Sequence, residues 1–218
     1  MVQRSSPRVQ SLAPTVFRVF IRRQTYFNVA YLLIAFPLGL LYFVFLVVGL
    51  MIGFALLLTL VGIPVLLLVH LVAWVFLHLE RRIAVRLLNV QIPPIGPAES
   101  SGSLWRRLIA TAADPTTWTG MFFLLVKFPV GTASFALAVG LLAATLAFVA
   151  APVAYRFGTI PVGPWGVDSF GESVLLVPLG LAMALVSMHV LNLAAFASGR
   201  FAYLMLGARW WETNPKED

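Results

Sequence analysis

The chain has 218 residues, 61% of them hydrophobic and 11% charged, with a mean hydropathy of +0.95 and a formal net charge of +7. A soluble domain of this length carries roughly a quarter charged residues, which excludes water as the main solvent for most of the chain. The lack of cysteine excludes disulfides, thiolate metal sites and thiol catalysis. Basic residues that flank apolar runs point to anionic lipid head groups as their partner, not nucleic acid.

Residues 1–24 form a basic arm. Within it Val16, Phe17, Phe20 and Ile21 can share a helix face opposite Arg18 and Arg22, which suits a helix lying in the membrane interface with Arg22 and Arg23 among head groups. The next stretch is uncharged from Gln24 to Leu79. A cleavable leader has an apolar region of only about 7–15 residues, so this is membrane anchor. Crossing ~30 Å of hydrocarbon takes about 20 apolar residues in a helix. Four segments qualify: Leu38–Leu60, Pro64–Leu79, Val130–Ala151 and Val174–Ala197, with the second continuing as helix towards Leu88. Val61-Gly62-Ile63-Pro64 reads as a tight turn with Pro64 at the first position of the next helix.

The expected fold is therefore all-α: a polytopic membrane protein of four transmembrane helices arranged as two hairpins, residues 25–90 and 114–207. A segment at 91–113 joins them, holding a Pro-rich hinge from Pro93 to Gly102 and a second interfacial helix. In that helix Leu104, Trp105, Leu108 and Ile109 oppose Arg106 and Arg107, which are placed on head groups like Arg22 and Arg23. Asp114-Pro115 reads as the cap and first residue of the third helix, and residues 208–218 form a tail. Of the fifteen Lys and Arg residues, all except Arg156 fall on one side of this topology, so both termini and the central segment are expected in the cytoplasm of a plasma-membrane protein.

The hairpins repeat each other. Shifted by 92 positions, Tyr31-Leu32-Leu33 falls on Phe123-Leu124-Leu125 and Phe36-Pro37-Leu38-Gly39 on Phe128-Pro129-Val130-Gly131. A later echo relates Arg82-Ile83-Ala84 to Arg200-Phe201-Ala202. Both hairpins start inside, so the repeats are parallel, related by an axis along the membrane normal. Pro37 and Pro129 lie near the cytoplasmic interface, where each can bend its helix. Gly49 and Gly53 on the first helix, and Ala136, Gly140 and Ala144 on the third, form small-residue stripes that allow close approach. These stripes are expected to bring the first and third helices together near the pseudo-axis; the alternative is a homodimer contact.

An ordered set of motifs now resembles the putative sensor domain family, found at the N-terminus of some prokaryotic histidine kinases and also free-standing. The set comprises Tyr31 to Leu40, Val61-Gly62-Ile63-Pro64, Glu80-Arg81-Arg82, Asp114-Pro115-Thr116-Thr117-Trp118 and Lys127-Phe128-Pro129. The resemblance implies no established active residue or cofactor. Eleven residues follow Gly207, too few for a kinase's phosphoacceptor and ATP-binding domains, so any signal is expected to reach a histidine kinase or other regulator in trans.

Ionisable and polar groups inside spans are costly and often functional. His70 on the second helix and His189 with Asn192 on the fourth are candidate ligand-sensing residues, as is Trp165 in the outer connection. Two imidazoles at similar depth could ligate haem or sense protons, but the repeat register is off by one residue, turning them about 100° apart. Neutral imidazoles in helix–helix hydrogen bonds are the favoured reading. Lys127 is explained by snorkelling and Glu80 by a solvated ion pair with Arg81 and Arg82. No Walker loop, dinucleotide fingerprint, zinc-protease pair or paired carboxylates occur, so no enzyme and no cofactor is expected. The function expected is a free-standing membrane sensor for a lipophilic ligand or the bilayer state. The alternatives are a small transporter or permease subunit, and an assembly partner of another membrane protein.

Overall fold

The computed structural model describes residues 20–90, 115–158, 160–162 and 165–206. Four long helices dominate: α1 Arg23–Ala55, α2 Gly62–Leu88, α3 Pro115–Ala154 and α4 Phe170–Leu206. All four are long and apolar enough to cross a membrane, and Arg23, Arg82, Arg86 and Arg200 lie exposed on them. Each helix carries exposed large apolar side chains, among them Met51, Leu71, Leu146 and Leu193. Such a surface is incompatible with water and suits hydrocarbon, where helices satisfy their own backbone groups.

The helices outrun the apolar segments that mark them. α1 begins fifteen residues before Leu38 and continues through Pro37 as helix, and α3 opens at Pro115 as expected from the proline's fixed φ. Leu56–Thr59 forms a single 3-10 turn after α1, and α2 already starts at Gly62, so Pro64 is its third residue instead of its first. A first-turn N–H has no intrahelical acceptor, so proline is tolerated at either place. Asn89 ends α2 in the left-handed conformation (φ 54°), which its short polar side chain accepts more readily than most.

The chain divides into two compact units. One contains Met1–Thr25 and Leu141–Val190. Here the second half of α3 packs on the first half of α4: a side chain at Gly180 would lie 2.9 Å from Val149, and Thr145 and Ser187 share a hydroxyl–hydroxyl bond of 3.2 Å. The connection between the helices holds an antiparallel pair of short strands, β1 Ile160–Val162 and β2 Trp165–Val167, with Ile160 opposite Val167. α4 is capped by Ser169, whose Oγ accepts from the Glu172 N–H at 3.2 Å, while Glu172 Oε2 accepts from the Asp168 N–H at 3.2 Å.

The other unit contains Tyr26–Gly140 and Leu191–Asp218. Its core joins Tyr42 and Leu46 of α1, Val69, Ala73, Leu77 and Ala84 of α2, Met121, Phe123 and Leu124 of α3, and Ala202 of α4. On α2 the buried positions Val69, Ala73, Leu77, Glu80 and Ala84 recur every three or four residues, forming one stripe. A carboxylate stands in the middle of that stripe.

Within this unit α1 and α3 cross at positions the repeat equates. A Cβ on Gly39 would lie 2.8 Å from the Lys127 carbonyl oxygen, and one on Gly131 would lie 2.5 Å from that of Ala35. The two contacts exchange under the 92-residue shift, since Gly39 maps to Gly131 and Ala35 to Lys127. Four phenylalanines surround the crossing with the same reciprocity. Phe36 meets its counterpart Phe128 at 6.4 Å between ring centroids, and the pairs Phe36–Phe135 (5.2 Å) and Phe43–Phe128 (4.9 Å) are images of each other. A local two-fold axis therefore passes through the crossing. The first turns of α3 run beside α2 in the same direction, as Trp118 lies by His70, Gly120 by Leu77 and Lys127 by Glu80, whereas the expected axis along the membrane normal would set these turns antiparallel to α2.

Candidate functional site

The four-carbon stem of Lys127 carries its ammonium off the α1–α3 crossing into the buried face of α2, where it forms an ion pair with Glu80 Oε1. Glu80 is 0% exposed and Lys127 3%. The ammonium also donates to the Tyr31 hydroxyl at 2.5 Å and stands 4.4 Å from the centroid of the Tyr31 ring. Tyr31 donates onward to Glu80 Oε1 at 3.1 Å, and Tyr42, from about three turns further along the same face of α1, reaches Oε2 at 3.5 Å. Phe76 closes one side, 4.9 Å from the Tyr42 ring. Three helices thus supply one neutral cluster: two hydroxyls from α1, a carboxylate from α2 and an ammonium from α3.

The cluster follows from local sequence. Tyr31, Ala35, Tyr42 and Leu46 are the buried positions of one α1 face, so two of its core residues end in hydroxyls. Glu80 is eighteen residues past Gly62, about 27 Å along α2, at the far edge of an apolar slab of ~30 Å counted from the α1–α2 turn. An isolated carboxylate or ammonium there would be very costly. Paired and hydrogen-bonded, the two charges are tolerable, and their net contribution to stability is small.

This placement corrects two expectations. Glu80 is buried against Lys127 instead of solvated with Arg81 and Arg82, because it falls in register with Val69, Ala73 and Leu77. Lys127 does not snorkel to the head groups, because a carboxylate within reach on α2 offers it a better partner. The small-residue stripes also act differently from expectation. Gly49 and Gly53 face α2, where a Cβ on Gly49 would lie 2.7 Å from Val69 and one on Gly53 would strike Leu66. α1 and α3 do meet, but at Gly39 and Gly131. Ala136 and Gly140 are exposed, with nothing within 4 Å of a Cβ on Gly140, and Ala144 is half-buried in the other unit. Replacing Gly140 by leucine is expected to change the unfolding free energy of the monomer by less than about 0.5 kcal/mol. Analytical ultracentrifugation of the same variant in detergent reports directly on any homodimer through this face.

The histidines are engaged within their own units. His70 meets Trp118 edge-on at 5.9 Å. His189 is exposed on α4, and its Nδ1 lies 2.8 Å from the Leu185 carbonyl oxygen of the same helix. His78 makes the equivalent contact with Trp74 at 2.9 Å. A bond within one helix replaces the helix–helix bond expected of His189. Asn192 accepts from Asn28 Nδ2 at 2.8 Å and ties α4 to α1. Trp165 supplies backbone to the β-hairpin opposite Val162. Pro37 and Pro129 are exposed beside the crossing glycines, and Arg22 and Arg23 are exposed at the start of α1. Arg106, Arg107 and the Pro93–Gly102 hinge lie outside the described residues. Among the described residues no group of three or more His, Asp or Glu side chains could hold a metal ion.

A family model described as "Putative sensor" matches residues 31–206, a span that contains every member of the buried cluster. No curated protein and no solved structure matches the chain.

Proposed function

The chain belongs to the Putative sensor family, and from that membership we propose a membrane sensor that detects a lipophilic ligand or the state of the bilayer and signals through a separate protein, such as a histidine kinase. In this reading both termini face the cytoplasm of a plasma membrane, and no catalytic step is assigned. The observation that carries the reading is the buried Glu80–Lys127 pair, which joins the first repeat to the second at the edge of the apolar slab. A contact whose charge attraction and desolvation cost nearly cancel can be shifted by modest changes in the surrounding lipid.

Two experiments test this. Because the sequence contains no cysteine, Arg86→Cys and Arg156→Cys variants can be labelled in cells with a membrane-impermeant maleimide. Arg156→Cys is expected to label in intact cells and Arg86→Cys only after permeabilisation; the reverse pattern overturns the orientation. A photo-crosslinking residue at Arg86 is expected to capture a kinase or other regulator, with a yield that changes with lipid composition. Recovery of no regulator under any growth condition overturns the signalling role, and solute flux in reconstituted vesicles that requires Glu80 replaces it with transport.

A further inference from the structure

We propose that the α1–α3 crossing is a pivot between the two repeats and that the Glu80–Lys127 contact is the latch that sets its angle. The inference deepens the sensor reading and rests on it for the stimulus. Its first ground is the character of the crossing. α1 and α3 meet through one glycine notch on each helix, Gly39 over Lys127 and Phe128, and Gly131 over Ala35 and Phe36. Close backbone approach at one notch on each helix, with ring contacts extending over about two turns, fixes their separation more tightly than their angle. The surrounding Phe36, Phe43, Phe128 and Phe135 are arranged two-fold, so the rings favour neither repeat.

The second ground is that the polar cluster breaks this symmetry. The repeat relates Tyr31 to Phe123, Lys127 to Ala35 and, through the Arg82–Arg200 echo, Glu80 to Ser198. The counterpart site accordingly carries no charge: Phe123 and Ala35 are buried, and Phe123 packs on Phe201 at 5.4 Å. A single charged contact, placed off the crossing point and on one side only, resists rotation that separates α2 from α3.

The third ground is that the unlatched state has somewhere to put its charges. Glu80 and Lys127 sit at the edge of the apolar slab, so a small rotation lets the flexible lysine stem extend to the head groups. The same rotation opens Glu80 to head-group water, with the Tyr31 and Tyr42 hydroxyls still donating to it. Intermediate angles would leave both charges unpaired in a poorly solvating medium, which makes the device two-state instead of continuously variable.

Double electron–electron resonance on Met51→Cys/Val139→Cys, spin-labelled in nanodiscs, reads the angle; Met51 and Val139 are exposed on α1 and α3. The comparison is between phosphatidylcholine with 14-carbon chains and with 22-carbon chains. The cluster variant is Glu80→Gln combined with Lys127→Met, which removes both charges but keeps an acceptor for the tyrosine hydroxyls. The native protein is expected to show two distances whose ratio changes roughly tenfold or more between the two bilayers. The double variant is expected to show one distance in both. Distributions for the double variant that superimpose on the native ones in both bilayers overturn the latch while leaving sensing intact. A native distribution indifferent to bilayer thickness, with a double variant that differs from it, supports the latch and overturns bilayer state as the stimulus.

Discussion

Lys127→Met alone is expected to destabilise the protein by about 3–5 kcal/mol, because it leaves the Glu80 carboxylate buried with no counter-charge. The measurement is equilibrium unfolding in mixed micelles as the fraction of denaturing detergent rises. The Tyr31 and Tyr42 hydroxyls soften the loss without removing it, since two neutral donors do not replace an ammonium. Adding Glu80→Gln to Lys127→Met is expected to recover most of the loss, because a buried ion pair exchanged for neutral groups of similar volume is often close to neutral in stability. The coupling between the two substitutions separates an interaction of the pair from a packing effect of either residue. If the double variant is as unstable as Lys127→Met, the cluster owes its stability to shape and not to charge.

Gly131→Ala is expected to cost about 1–3 kcal/mol although it adds a single methyl group. That methyl would stand 2.5 Å from the Ala35 carbonyl oxygen and 2.8 Å from its carbon, and backbone atoms cannot rotate away as the end of a side chain can. The helices must separate, which also loosens the phenylalanines around the crossing. Gly39→Ala meets the Lys127 carbonyl in the same way and is expected to behave alike. Because the two glycines serve one crossing, the pair of substitutions is expected to cost less than the sum of the singles. Gly140→Ala, on the same helix with no neighbour within 4 Å, is the reference for the intrinsic effect of replacing a helical glycine.

Much of the architecture was legible in the residues, since hydrocarbon permits few solutions. Runs of about twenty apolar residues had to be helices, and Pro115 marked where α3 begins. Their length beyond the apolar core was not legible, because hydropathy reports the slab and not the turns that project from it, as α1 shows from Arg23 to Pro37. The repeat pointed to the crossing, and its Phe-Pro-x-Gly motif held the contact. The prolines stand out as benders, while the glycines two residues on, Gly39 and Gly131, are the notches. The spacing of Gly49 and Gly53 suits an α1–α3 contact, but the hairpin partner α2 claims that face first.

The charged cluster was harder to see. Tyr31, Glu80 and Lys127 all lie in the motifs that carry the family resemblance, yet each has an ordinary explanation when taken alone. Glu80 is followed by two arginines in sequence and joins the buried face of α2. The periodicity Val69, Ala73, Leu77, Glu80, Ala84 was the available signal: a carboxylate in register with a buried stripe needs a cation from another helix, and Lys127 was the candidate within the spans.

The one-sidedness of the cluster constrains how related chains can diverge. A chain that loses only the carboxylate or only the ammonium keeps an uncompensated ion in a medium that solvates it poorly, whereas a chain that loses both does not. Among related sequences, changes at positions 80 and 127 should therefore be inherited together, through short-lived intermediates. Their repeat counterparts, Ser198 and Ala35, should drift independently.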